Sequence, residues 1–414
     1  MVLFVIFCPI VAAILIMIGA PARKMAVAAS VLTLGATLLL LASFSPEQHD
    51  FQEVTSFPIS SEWHLSFTTG IDGLSLALVL LAAIVTVAAV WFAGKIDKYQ
   101  NAFYACLLFI SGGAIGAFAS LDLFFFYAFH ELALIPTFLL IGIWGGGNRV
   151  AAAWKITIYL AIGSFILLLG LILLYQSVPT ASRSFDIRAL KAAASLGQIS
   201  GDAQRHIYLL LLIGFGILTS LFPFRVMHIG YIFLGIASAS ILGVTGAVVL
   251  MFAHGLSIAL LFALAGELRK RTGTLVFEEL GGLAKVMPFA GLAFGLGAFA
   301  AIGLPGFANF AGEIMIFFGA FKNGWEIGRF HIFQIATVLA LWGMVISTVY
   351  MLRAYRKVFM GALNERWTGL VDLRSALRVP VTLLVGALLC YGFFPQSFVR
   401  MTTPAFRTYL TANK

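Results

Sequence analysis

The feature that most constrains this sequence is a series of apolar segments, each about 20 residues long, repeated along the chain. A helix of that length crosses the roughly 30 Å hydrocarbon layer of a bilayer, since each residue adds about 1.5 Å. With 61% hydrophobic and 10% charged residues, a soluble domain could not bury all of this apolar surface. The segments also lack the strict alternation of membrane barrel strands. The sequence therefore predicts an all-α, polytopic membrane protein.

We expect about 12 spans in a single transmembrane domain over 1–414, with the N-terminal helices over 1–205 and the remaining spans over 206–414. The predicted spans are 2–20, 25–44, 73–94, 103–119, 121–144, 153–175, 206–224, 226–241, 244–267, 284–322, 328–352 and 378–394. The polar connection over 176–205 is expected to contain a short amphipathic segment on the surface.

The charged residues between the spans indicate how the chain is oriented. The segment after the second predicted span is acidic and has no Lys or Arg, whereas the segments on either side of it are basic. The acidic residues are Glu47, Asp50, Glu53, Glu62 and Asp72, and the basic ones are Arg23, Lys24, Lys95 and Lys98. Because Lys and Arg collect on the inner side, we expect the N-terminus outside, in a bacterial inner membrane. The net charge of +9 reflects this topology, and we expect no nucleic-acid partner.

The predicted span 121–144 carries an acidic residue, Glu131, near its middle. A charged side chain at the centre of a membrane helix costs roughly 2.5 to 3.5 kcal/mol on insertion scales. Such residues usually face the protein interior and mark an ion path, although a structural pair or a protonated acid is the plain alternative. The neighbouring His130 projects about 100° away around the helix and is not expected to contact Glu131 directly.

Two further titratable residues, His254 and Glu313, lie at similar depth in other predicted spans. Glu313 follows the sequence Gly-Leu-Pro-Gly at 303–306, where proline and glycine predict a broken helix. Unpaired backbone groups at membrane depth persist only where they are buried in protein or line water, as in transporters. Because a neutral imidazole can accept and release a proton, His254 fits a relay, although a core histidine bonded between helices fits equally well.

Other polar residues have less specific positions. Lys155 lies near the start of its span, so it can belong to a proton path or extend to the inner surface. His228 lies at the entrance of a span. The three cysteines lie in apolar runs, and the sequence has no metal-ligand spacing, nucleotide-binding loop or nucleophile arrangement. We therefore expect no catalytic residues, metal site or cofactor in this chain.

Several motifs in these spans together resemble one family. They are F-H-E-L-A-L-I-P-T-F-L-L-I-G-I-W-G-G from Phe129, A-A-W-K-I-T-I-Y-L-A-I-G-S from Ala152, M-H-I-G-Y-I-F-L-G-I from Met227, M-F-A-H-G-L-S from Met251 and G-L-P-G-F-A-N-F-A-G-E-I-M-I-F-F-G from Gly303. In this order they are similar to the antiporter-like chain M, or subunit four, of proton-pumping NADH:quinone oxidoreductase, respiratory complex I. The resemblance extends over most of the chain.

The resemblance implies a membrane-arm subunit that carries part of a proton path and has no redox cofactor of its own. Its partners would be the other membrane-arm subunits, the lipid bilayer and protons, with quinone reached only through the whole complex. By resemblance, Glu131 is the fifth-helix carboxylate and Lys155 the sixth-helix lysine. His254 would be the histidine of the central relay, and Glu313 the acid of the broken helix; His228 completes the candidate path.

The sequence departs from the family after Phe224. There the family continues through two whole helices with a central lysine, whereas Arg225 follows here at once. The chain is thus about two helices short, and Leu218 occupies the position of another family lysine. Three functions remain open: a proton-translocating subunit of complex I, a shortened structural subunit that does not conduct, and a subunit of a cation/proton antiporter or membrane hydrogenase.

Overall fold

The computed structural model describes residues 1–48, 50–94, 96–180, 183–219, 227–323 and 331–410. It divides the chain into two compact units. Unit 1 comprises Met1–Phe44, Asp50–Thr86 and Lys95–Ile229, and unit 2 comprises Ser45–His49, Val87–Gly94 and Gly230–Lys414. The long helix α3, Gly73–Ala93, contributes residues to both units.

Unit 1 is built mainly from α-helices. They are α1 Val2–Ile18, α2 Ala22–Ser43, α4 Gln100–Ala119, α5 Leu123–Trp144, α6 Arg149–Gln176, α7 Ile187–Ser195 and α8 Gly201–Leu218. Asp122 caps the N-terminus of α5, because its carboxylate accepts hydrogen bonds from the backbone N–H groups of Phe124 and Phe125. Such a cap pairs amides that have no partner in the first helical turn.

An antiparallel hairpin in unit 1 departs from the all-α prediction. Strands β1, Gln52–Ser60, and β2, Leu65–Ile71, occupy the acidic connection after α2. The apolar residues Phe57 and Ile59 of β1 are exposed, whereas the end of β2 is buried. The alternation of Leu65, Ser66, Phe67 and Thr68 in β2 is the short sequence pattern that indicates this strand.

In unit 1, hydrogen bonds connect each end of α5 to neighbouring segments of the chain. The N–H of Leu121, between α4 and α5, donates to the carbonyl of Thr68 on β2, and the N–H of Ile187 donates to the carbonyl of Leu121. The hairpin and the segment before α7 therefore meet the start of α5. At the other end of α5, Trp144 donates to the carbonyl of Lys98 at 2.9 Å. This is the alternation expected of helices that cross a layer in turn.

The predicted amphipathic segment over 176–205 is confirmed as the helix α7. Its apolar residues, Leu190 and Ala193, are buried with Val178, Ile199 and Ile207, while its charged residues lie outside this cluster. Burial of its apolar face stabilises this short helix.

Unit 2 contains the remaining helices of the described chain. They are α9 Met227–Ala237, α10 Ile241–Thr272, α11 Pro288–Ala301, α12 Ala308–Lys322, α13 Ile332–Phe359, α14 Ser375–Phe393 and α15 Pro395–Leu410. The predicted break is confirmed, because α11 ends before Gly303 and α12 begins after Gly306. Eight of the described helices are long and apolar enough to cross a membrane alone. The halves of the broken span, with 14 and 15 residues, fall below that length.

The break has a defined backbone geometry. The N–H of Gly303 donates to Ala300 and the N–H of Leu304 donates to Phe299, both at 3.1 Å. With φ of +71° at Gly303, this is a Schellman arrangement, which a residue with a side chain adopts only at a cost. The bonds satisfy two carbonyl groups of α11 that would otherwise be unpaired.

Candidate functional site

Glu131 lies in the middle of α5 and contacts hydroxyl groups. The Ser164 hydroxyl on α6 donates a short hydrogen bond to Oε1 of Glu131, and it lies 3.1 Å from the Tyr127 hydroxyl, one turn earlier on α5. Ser164 is buried, while about one third of the Glu131 side chain is exposed. Hydroxyl groups both donate and accept hydrogen bonds, so they can stabilise either protonation state of a carboxyl group.

The structure contradicts the expectation for His130. Its Nδ1 lies 3.5 Å from Oε1 of Glu131, although the two Cα–Cβ bonds point in different directions around α5. Nδ1 is the ring nitrogen nearest the backbone, so neighbouring side chains can meet there. His130 therefore joins Glu131, Tyr127 and Ser164 in what we call the α5–α6 cluster. These residue types are visible in the sequence, but the packing of α5 against α6 that brings them together is not.

Lys155 does not join the α5–α6 cluster. It is exposed near the start of α6, nine residues before Ser164, which corresponds to about 14 Å along the helix axis. Within the described residues it forms no ion pair with Glu131. The neighbours of Glu131 are consequently an imidazole and hydroxyl groups.

Glu313 occupies a different environment, on α12 in unit 2. It is 1% exposed, and its carboxylate lies against the backbone of Gly303, where an added Cβ would overlap Oε2. The ring of Tyr231 on α9 packs edge-on against Phe317, one turn beyond Glu313, at 5.4 Å. The acid thus lies beside the helix break, as the sequence predicts, and is enclosed by α9 and by the end of α11.

Close packing of α10 and α12 determines which residues share a level beside the break. An added Cβ at Gly246 would lie 2.8 Å from the nitrogen of Ile316, and one at Gly312 would lie 2.7 Å from that of Leu250. The helices are therefore antiparallel and nearly in backbone contact. Continuing this register by one turn brings His254 to the level of Asn309 in the first turn of α12.

Asn309 is a buried polar residue that the sequence interpretation did not select. It is 0% exposed, and neither its Oδ1 nor its Nδ2 has a hydrogen-bond partner among the described residues. Asn309 precedes Glu313 by four residues, so both side chains lie on one face of α12. A buried amide needs hydrogen-bond partners, so Asn309 makes this buried face of α12 polar as well.

The remaining candidate positions are less informative. Residues 220–226, which include the departure after Phe224, lie outside the described residues, and so does the side chain of His228. Leu218, which the resemblance places at the position of a family lysine, is the last residue of α8. Among the described residues, no group of three or more His, Cys, Asp or Glu side chains could hold a metal ion.

The family described as NADH:quinone oxidoreductase/Mrp antiporter, TM matches residues 120–226 and 225–340. These segments contain Glu131, Ser164, the helix break and Glu313, and they cover more than half of the chain. The chain belongs to this family. The two matched segments meet at 225–226, where the motifs predict that part of the family sequence is missing.

Relatives resemble this member of the family over most of their lengths. The chain is 27% identical to F(420)H(2) dehydrogenase subunit M of Methanosarcina mazei, covering 90% of each chain. It is 26% identical to NADH-quinone oxidoreductase subunit M of Rickettsia bellii, over 91% of this chain and 89% of the relative. A chain of respiratory complex I from Thermus thermophilus with bound NADH has the same fold, with a TM-score of 0.85, 23% identity and complete coverage of both chains.

The alignments also reveal that the chain is shortened. The alignment with the Methanosarcina mazei subunit extends over 453 positions, more than the 414 residues of this chain. Because it includes 90% of the chain, or about 373 residues, about 80 positions have no counterpart here. Together with the junction of the two matched segments at 225–226, this agrees with the missing helices predicted after Phe224.

Proposed function

We propose that this chain is a membrane-arm subunit of NADH:quinone oxidoreductase and contributes to proton translocation coupled to electron transfer from NADH to quinone. Family membership and the relative from Rickettsia bellii support the assembly. The observation that carries the conducting role is the α5–α6 cluster, in which a carboxylate within a membrane helix contacts hydroxyl groups and an imidazole. No redox cofactor is assigned to the chain.

The proposed path uses Glu131, His254 and Glu313 as proton-binding groups. Ser164 and Asn309 extend it as hydrogen-bonding groups, because each is buried beside one of these levels. Lys155 is assigned to the entrance, since it is exposed and about 14 Å from Ser164 along α6. His228 stays a candidate from the sequence alone.

The missing family lysines affect the mechanism. In the resembling family a lysine lies near the fifth-helix carboxylate, whereas here Leu218 occupies the corresponding position. We propose that His130 replaces it as the group whose charge couples to Glu131, since Nδ1 lies 3.5 Å from Oε1. Protonation of an imidazole so near would stabilise the ionised carboxylate, and its deprotonation would release that stabilisation.

We further propose that the N-terminus faces the outside of a bacterial inner membrane. The acidic residues around β1 and the basic residues near Lys98 support this orientation. Single cysteines at Glu62 and Arg149, introduced after the native cysteines are replaced, test it with a membrane-impermeant maleimide on intact cells. Labelling at Glu62→Cys but not at Arg149→Cys is expected, and the reverse pattern would contradict the orientation.

The function is tested by purifying the assembly that contains this chain from its own host. The assembly purified through an affinity tag after Lys414 should oxidise NADH and reduce quinone. Vesicles that contain this assembly should develop a proton gradient when NADH and quinone are added. The same tag on an unrelated multi-pass protein is the control. Retention of an assembly without NADH oxidation would contradict the proposal.

A second candidate is a subunit of a cation/proton antiporter or of another membrane respiratory complex. The family description names Mrp antiporters as well, and the relative from Methanosarcina mazei is a subunit of an F(420)H(2) dehydrogenase. Sodium/proton exchange by the purified assembly, without NADH oxidation, would favour this candidate. NADH oxidation without any effect of Glu131 on proton translocation would instead favour a structural subunit.

A further inference from the structure

A continuous exposed stripe follows one face of α13 in unit 2. It consists of Ile335, Leu339, Trp342, Ile346 and Val349, each at least half exposed, at alternating spacings of four and three residues. The spacing places them on one helix face, and the stripe extends over about 21 Å along the axis. We call these residues the apolar stripe of α13.

The same face becomes basic at one end of the helix. The next two positions of the spacing are Arg353 and Arg356, and Lys357 follows. Helix α13 has no acidic residue over 332–359, and none of these three cations forms an ion pair within the part of the chain that the structure describes. All three are exposed, so their charges are free to meet an external partner.

A cavity of about 690 Å³ lies at this junction. The three cations line it together with Val349 and Leu352 from the apolar side and with Met360 and Gly361 beyond the helix end. Among the described residues, no acidic side chain lines this cavity. The cavity therefore combines a cationic wall with an apolar wall, arranged along the helix axis.

The opposite face of α13 packs against other residues of unit 2, which holds the helix in position. Phe359 is buried and packs on Phe294 of α11 at 5.1 Å, and an added Cβ at Gly295 would lie 3.1 Å from the ring of Tyr355. The N–H of Gly282 donates to the carbonyl of Met360 at 3.0 Å. Since α13 is held on this side, the cations project from a supported surface.

We propose that this cavity binds an anionic phospholipid, with the phosphate between Arg353 and Arg356 and an acyl chain along the apolar stripe of α13. Guanidinium groups bind phosphate oxygens in pairs, which favours two arginines over a diffuse charge. The basic end would lie at headgroup depth, because the stripe covers most of the roughly 30 Å hydrocarbon layer. Basic pockets on the cytoplasmic side are suited to anionic headgroups. The proposal does not depend on proton conduction.

The occupant is a lipid and not a free phosphate ion because the cavity has two kinds of wall. An inorganic phosphate would use the arginines but would leave Val349 and Leu352 exposed. A helix of another subunit could cover the apolar stripe, but it would have to supply an acidic group to pair with three cations. One phospholipid satisfies both requirements through its headgroup and its acyl chain.

The test uses the purified assembly that contains this chain, transferred into nanodiscs of phosphatidylcholine with or without phosphatidylglycerol. Native mass spectrometry counts the phosphatidylglycerol molecules retained after release from the nanodisc. The double variant Arg353→Gln/Arg356→Gln should retain one phosphatidylglycerol molecule fewer than the unmodified chain. Its affinity for that molecule should fall at least about tenfold, as expected when two cations near an anionic lipid are removed. Inorganic phosphate should not displace the retained molecule.

The matched control is Arg366→Gln/Arg374→Gln, which removes two exposed arginines that lie outside the cavity. It should retain lipid like the unmodified chain, and Arg353→Lys/Arg356→Lys should retain it partly. Unchanged retention in the Gln variant, or displacement by phosphate, would overturn the proposal. If that variant does not assemble, a cryo-EM map of the unmodified assembly decides: phosphate density beside both guanidinium groups supports the proposal, and protein density in the cavity overturns it.

Discussion

Glu131 and Glu313 are both acidic residues within the membrane helices, but their surroundings differ. Glu131 is about one third exposed and is held by side chains, namely Ser164, Tyr127 and His130. Glu313 is 1% exposed and lies against backbone, at the turn between α11 and α12. The first environment depends on groups that can themselves donate and accept protons, and the second depends on close helix packing.

This difference predicts two kinds of mutational effect. Around Glu131, a single polar atom can be removed without changing the packing of α5 and α6, so proton translocation should change while assembly is retained. Around Glu313, almost any added atom meets backbone, so the amount of assembled protein should change first. The following substitutions test this separation.

The largest effect is expected for Gly312→Val, beside Glu313. The added side chain would overlap Leu250, whose backbone nitrogen lies 2.7 Å from the position of an added Cβ. Backbone cannot move aside as a flexible side chain can, and overpacking typically costs about 1 to 3 kcal/mol or more. The amount of assembled complex on native gels should fall severalfold. Gly266→Val on α10 is the control, because nothing lies within 4 Å of its added Cβ.

A smaller loss is expected for Gly303→Ala. The new Cβ would overlap the carboxylate of Glu313, and the backbone there has φ of +71°. Gly361→Ala controls for backbone strain, because its φ is +88° and its added Cβ meets nothing within 4 Å. The amount of assembled complex on native gels should fall for Gly303→Ala and not for Gly361→Ala. Equal losses in both variants would attribute the effect to strain alone.

Ser164→Ala should reduce proton translocation severalfold without reducing assembly. The substitution removes the hydroxyl that donates to Glu131, and the small helix residue alanine fits the same space. Ser177→Ala is the control, since that hydroxyl bonds only to the carbonyl of Leu173 in the described chain. Translocation is measured by quenching of a pH-sensitive dye in inverted vesicles. Normal quenching by Ser164→Ala would remove the hydroxyl from the path.

The smallest effect is expected for Lys155→Gln. The residue is exposed, and about 14 Å of α6 separates it from Ser164, so its charge is screened from Glu131 by solvent and headgroups. The initial rate of translocation should fall about twofold or less, the range expected for an exposed charge. A loss as large as that of Ser164→Ala would mean that Lys155 reaches Glu131 in the assembled complex.

Much of the helical architecture follows directly from the sequence, because apolar runs of membrane length leave few alternatives. The break at Gly303–Gly306 and the amphipathic α7 were also predictable from proline, glycine and charge. Helix α15 was missed because Arg400, Arg407 and several threonines lower its apolar character. The hairpin β1–β2 was missed because β1 does not alternate strictly and the alternation in β2 covers only a few residues.

The candidate site was predictable only as a set of residues. Glu131 and Glu313 are conspicuous because acids are rare at membrane depth. Their neighbours depend on tertiary register: Ser164 meets Glu131 only through the way α5 and α6 pack, and Asn309 shares a level with His254 only because glycines bring α10 and α12 together. The prediction for His130 was wrong because it considered the direction of the Cα–Cβ bond and not the reach of the side chain.

The central claim is that Glu131 carries protons in this shortened chain. It is tested most directly by the ratio of protons translocated to electrons transferred in vesicles containing the Glu131→Gln assembly. Glutamine preserves the size and the hydrogen bond from Ser164 but cannot bind and release a proton at neutral pH. We predict normal assembly with a clearly lower ratio, while Glu365→Gln, at an exposed site, keeps the normal ratio. An unchanged ratio in Glu131→Gln would contradict the account.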